Sequence, residues 1–142
     1  MATDFLARCE ILEEAYEFML GYAGQGFPSE EGSQIRYFLQ RAITALTGLA
    51  ESCANAATRN NLEPATMYQA FVSVLYRDAQ NALAVIEVVL AQPSISSQLI
   101  DNLNASIHLR ALLTDLFLVG EIFRSQMTPE VPEAVNASKK AP

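Results

Sequence analysis

Three sets of residues in this chain carry groups capable of chemistry. They are the carboxylates Glu10, Glu13, Glu14 and Glu17, the thiols of Cys9 and Cys53, and the single imidazole, His108. Carboxylate metal sites in helical proteins draw glutamates from several helices together with Glu-x-x-His pairs, all pointing inward. Here all four glutamates lie on one segment, and Ala105 occupies the position three residues before His108. On a helix these glutamates centre on the side opposite Leu12, which is the apolar side. The spacing therefore predicts no metal site. It predicts a solvated face on which a basic partner docks through Glu10, Glu13, Glu14 and Glu17.

His108 sits in Ser106-Ile107-His108-Leu109-Arg110, and a phosphoaccepting histidine on a helical bundle is one reading of it. Histidine phosphotransfer domains carry a lysine and a glycine three and four residues after that histidine. This chain has Ala111 and Leu112 there, so phosphotransfer through His108 ranks as the last alternative. Nucleophilic catalysis needs a base beside the nucleophile. Both cysteines fall on apolar stripes, where the thiolate is disfavoured, and the glycines form no phosphate loop. No catalytic residue, cofactor or enzymatic activity is expected. In a hairpin that turns near residue 27, Cys9 and Cys53 differ in level by about 12 Å, beyond the ~7 Å a disulfide spans, so two free buried thiols are expected.

These groups have to be positioned by helices. The chain of 142 residues is long enough for one domain, and 51% hydrophobic against 18% charged residues argues for a packed core. Three breaker clusters divide it: Phe27-Pro28-Ser29-Glu30, Asn60 to Pro64, and Gln92-Pro93-Ser94. Each joins a proline to a helix-capping residue. The first helix is expected over Asp4 to Ala23, with Phe5, Cys9, Leu12, Tyr16, Met19 and Ala23 stepping by four and three. The second starts with Ser29 as cap and carries Ile35, Leu39, Ala42, Leu46, Leu49, Cys53 and Ala56. A third follows Pro64 with Tyr68, Val72, Leu75, Ala79, Ala82, Ile86 and Val89, and a fourth, capped by Ser94, runs to Ser125 or Gln126. No strand pattern appears. The expected fold is all-α, an antiparallel up-down-up-down four-helix bundle over residues 1–127, followed by a disordered tail over 128–142.

Charge limits the partners. The net charge is −7, and residues 1–31 hold most of it, with seven acids against Arg8 alone. Nucleic acid and anionic membrane surfaces are therefore excluded as expected partners. No apolar run approaches the ~18 residues of a membrane span, and Met1 to Asp4 opens no secretory signal, so the expected location is cytoplasmic.

Small residues, Ala42, Ala45 and Gly48 against Ala79 and Ala82, are expected to meet across the second and third helices. Small against small favours close approach over a pocket for an apolar ligand. That pocket remains the alternative reading. The fourth helix is apolar all round between Ala111 and Phe123, more than one core-facing side needs. Leu118, Ile122, Asp115 and Phe123 are the candidate interface. The expected function is an acidic helical protein acting through protein–protein contacts, as adaptor, regulator or chaperone, self-associating as a homodimer through its fourth helix. Residues 1–138 contain seven arginines and no lysine, a bias in keeping with contact surfaces.

Overall fold

A chain whose apolar residues step by three and four buries one stripe of each helix, and most residues of the stripes named above are core, although Tyr16, Ala23, Tyr68 and Val72 are only half-buried and Ala15 and Tyr22 join the core of the first helix. In the computed structural model, which describes residues 2–127, the elements are α1 (Ala2–Ala23), α2 (Ile35–Leu46), α3 (Leu49–Arg59), α4 (Ala65–Leu90), α5 (Ser97–Asn104) and α6 (Ile107–Met127). No strand occurs among the described residues, so the class is all-α. The segment expected as a disordered tail, 128–142, lies outside the described residues. The stripe from Ile35 to Ala56 is buried throughout, as are Leu75, Ala79, Ala82, Ile86 and Val89 of α4 and Leu112, Leu116, Val119 and Phe123 of α6.

Six helices stand where four were expected, because two of the expected rods break. The second breaks at Gly48, whose φ of 83° places it in the left-handed region, where a Cβ would be strained. Arg8 of α1 reaches across and donates to the carbonyls of Ala45 (3.0 Å) and Thr47 (2.7 Å), which the end of α2 leaves without helical partners. The same arginine pairs with Asp4 at 3.1 Å, and Ser52 of α3 donates to that carboxylate as well. Ser52 and then Arg8 hold the Asp4 carboxyl below its ordinary value. The fourth rod breaks between Asn104 and Ile107. There the Asn104 amide donates to the Met19 carbonyl at 3.2 Å, and Ser106 opens α6 by accepting from the His108 N–H at 3.2 Å.

Helix starts also differ from expectation. Residues 24–34 form a loop rather than a first turn capped by Ser29, and the Ser33 hydroxyl accepts from the Ile35 N–H at 3.1 Å. Ser96, not Ser94, caps α5, accepting from the Leu99 N–H at 3.0 Å. Helices α2 and α3 bridge α1 to α4 on one side of the core, and α5 and α6 do so on the other. Helix α2 packs on α4, and Ala42, Ala45, Ala79 and Ala82 are all buried, but Gly48, expected in the same contact, is exposed at the break between α2 and α3, facing Arg8 of α1.

Candidate interaction surface

The ends of α4 are held by charge and by rings. At its C-terminus, Arg36 donates to the carbonyls of Leu90 (2.9 Å) and Gln92 (2.8 Å) and pairs with Glu30 at 2.8 Å. Glu30 also accepts from the Ile95 N–H at 2.7 Å, and this bond, reinforced by the Arg36 guanidinium, lowers the Glu30 carboxyl to about 2. Near its N-terminus, Tyr68 lies 6.4 Å from the ring of Phe123, which in turn meets Phe5 of α1 edge-on at 5.3 Å. Helices α4 and α6 run antiparallel, since Tyr68 neighbours Phe123 while Asp78, further along α4, hydrogen-bonds Asp115, earlier on α6.

A groove of ≈ 260 Å³ opens between these two helices, walled by Pro64, Met67, Phe71, Leu118, Val119 and Ile122. Met67 is 67% exposed and Leu118 59%, while Phe71 and Ile122 are half-buried. Val74, at 41% exposure, continues the Met67–Phe71 line one turn along α4, and Asp78 follows it. One long apolar face therefore ends at a pair of carboxyls. Asp115 is pushed up to about 7, first by burial and then by the hydrogen bond and charge of Asp78. Among the described residues neither aspartate forms an ion pair, and Asp115 Oδ2 is enclosed without a donor.

The structure brings Leu118, Ile122 and Asp115 to one strip of α6 on the side toward α4. Phe123 does not belong with them. At 1% exposure it is core, because its position on α6 points between α1 and α4, where Phe5 and Tyr68 receive it. Met67, Phe71, Val74 and Asp78 were missed by the sequence reasoning. They step by four, three and four, one position ahead of the line of half-buried Tyr68 and Val72 and buried Leu75 and Ala79, and that offset repeat was the signal for them.

The acidic set of α1 divides. Glu10, Glu14 and Glu17 are exposed, whereas Glu13 is half-buried and lies 3.9 Å from Arg124 of α6. Glu14 approaches Arg41 of α2 at 3.8 Å, so two of the four carboxylates already have intramolecular partners on opposite flanks of α1. Among the described residues no group of three His, Cys, Asp or Glu side chains is placed to hold a metal ion. His108 is exposed on the first turn of α6. Cys9 and Cys53 are buried free thiols, each pushed up to about 12 by burial, with Glu13 adding to the shift of Cys9. Among the described residues no helix is long and apolar enough to cross a membrane. Compared with known proteins, the chain matches no family model, and no significant match was found among curated proteins or solved structures.

Proposed function

We propose that this protein is a non-catalytic, cytoplasmic interaction module, an adaptor or regulator, that self-associates through the α4–α6 face. We read its six helices as a four-helix bundle with two broken rods. The observation that supports this most is the apolar groove itself, in which large side chains on two adjoining helices stay open to water. Contiguous apolar surface of this kind characterises contact sites rather than solvated faces. A cavity of ≈ 260 Å³ falls below the ~300–1,000 Å³ of small-molecule sites, which favours a partner's side chains over a ligand. A two-fold contact is the commonest way for one surface to bury itself against its own copy.

Complete burial of a large apolar side chain contributes on the order of 1.5–3 kcal/mol. Met67 and Leu118 retain about three-fifths of their surface, so each contributes about 1–2 kcal/mol, and four of them from two copies about 4–8 kcal/mol. Set against an association cost of roughly 4–15 kcal/mol, with Phe71 and Val74 adding to the contact, this corresponds to a weak dimer of order micromolar or looser. Sedimentation velocity from about 10 to 300 μM should show a concentration-dependent shift towards dimer. Met67→Glu with Leu118→Glu should abolish it while leaving the helical circular dichroism unchanged, since both side chains are exposed. A wild type that stays monomeric throughout that range removes self-association.

A further inference from the structure

We infer that the cleft between α3 and α4 binds a small aromatic amine, its rings on the apolar floor and its ammonium beside Glu63. The cleft holds ≈ 380 Å³. It lies across α4 from the α4–α6 groove, and Glu63 and Tyr68 line both. Volume separates the two hollows in kind. The groove falls below the ~300–1,000 Å³ of small-molecule sites, whereas the cleft falls within that range. An enclosed space of ~150 Å³ takes one benzene, so the cleft has room for two fused rings and a short side chain.

Local sequence creates the space and fixes its shape. Helix α3 turns Ala54, Ala57 and Thr58 towards α4, and α4 turns Ala65, Gln69 and Val72 towards α3. At the corner between them Asn61 takes a φ of 52°. Its N–H donates to the Thr58 carbonyl at 3.1 Å, and the Leu62 N–H donates to the Ala57 carbonyl at 3.0 Å. These two bonds are the Schellman pattern, which ends α3 with its last carbonyls satisfied. They turn Leu62 inward, so that buried Ala57 and Leu62 with half-buried Tyr68 and Val72 form an apolar floor. A corner held by its own backbone bonds is set before a ligand arrives, which lowers the ordering cost of binding.

The rim decides which ligand fits. Thr58, Asn61, Glu63 and Gln69 line the cleft and are exposed. Among the described residues neither their side chains nor the Tyr68 hydroxyl take part in a hydrogen bond or ion pair. Glu63 alone carries charge among the described residues that line the cleft. Glu51 and Arg59, the other charged residues of α3, do not line it, and Arg77, Asp78 and Glu87 of α4 lie beyond Val72. A cation is therefore attracted and an anion repelled. The remaining N–H groups of an ammonium meet acceptors on Thr58, Asn61 and Gln69. Because an exposed ion pair adds little, the rings supply most of the affinity and Glu63 selects the sign of the charge.

The site is tested on the full-length protein with 1-naphthylmethylamine as probe, followed by amide shifts in nuclear magnetic resonance spectra. At about 20 μM protein the probe should bind with a dissociation constant of millimolar order or tighter and shift the amides of Ala57, Thr58 and Leu62. Glu63→Gln should weaken it about two- to fivefold. Thr58→Arg, at an exposed position in the last turn of α3, should weaken it about tenfold or more, since it fills the cleft and repels the ammonium while suiting the helix end. The carboxylate 1-naphthylacetate should bind more weakly than the amine. Absence of shifts up to about 10 mM probe, equal affinity for amine and carboxylate, or indifference to Thr58→Arg overturns the inference. So do shifts centred on Leu118 and Ile122, which place the probe in the α4–α6 groove. Each readout comes from α3 and its corner, so a monomeric wild type refutes the dimer and leaves this site standing.

Discussion

Replacing Arg36 with methionine should destabilise the protein by about 2–3 kcal/mol, more than any single surface ion pair would account for. The side chain makes three bonds, to the Leu90 and Gln92 carbonyls at 2.9 and 2.8 Å and to Glu30 at 2.8 Å. The two carbonyls lie at the end of α4, where the helix supplies no donors of its own. A charged donor contributes roughly 1.5–3 kcal/mol per bond when shielded, and the 37% exposure of this side chain reduces that to about 1 kcal/mol each. Methionine keeps the apolar stem, so the loss reports the guanidinium. In a domain of this size the midpoint of thermal unfolding should fall by about 6–12 °C.

The acid limb carries a second signature of the same clamp. The Glu30 carboxyl is lowered to about 2 in the fold from an ordinary 4.5. Its contribution is therefore complete above pH 4.5 and is lost as the pH falls from 4.5 towards 2. Urea unfolding followed by circular dichroism should show the largest gap between wild type and Arg36→Met near pH 7. That gap should narrow as the pH approaches about 2, where Glu30 of the folded wild type takes up its proton and the ion pair is lost. Arg36→Lys should recover only part of the loss, because an ammonium cannot serve three acceptors in the geometry of a guanidinium. A loss under about 0.5 kcal/mol, or full recovery by lysine, would refute the clamp.

Two further outcomes follow from burial. Phe123→Ala should cost about 3–5 kcal/mol, whereas Leu118→Ala in the monomer should stay within about 0.5 kcal/mol. Chemical denaturation of both measures whether α6 is phased with Phe123 in the core, and equal costs would contradict that phasing. Cys9 and Cys53 should resist Ellman's reagent at pH 8 in the native protein and count as two free thiols after unfolding without reductant. A bridged peptide in place of free thiols would refute their assignment as unlinked.

Local pattern alone carried the helical class and the core. The four- and three-residue steps from Ile35 to Ala56 and from Leu75 to Val89 name buried residues without reference to any neighbour, because a helix turns its side chains by a constant angle. The first of these runs straight through Gly48, so the pattern shows no break there, and no proline or breaker cluster marks Ala105-Ser106 either. The breaks depend on groups distant in sequence: Arg8 taking the carbonyls at the end of α2, and Asn104 reaching Met19. Capping has the same character, since Ser29 and Ser94 are as suitable by type as Ser33 and Ser96, and packing selects between them. The candidate face was half visible. An apolar surplus on α6 pointed to Leu118 and Ile122, but which surplus residues face water depends on where α1 and α4 lie, and that placed Phe123 inside. Met67, Phe71, Val74 and Asp78 became part of the face only once α4 lay antiparallel to α6. A periodic sequence determines which side of each helix is buried, and the pairing of helices determines which of the remaining side chains meet.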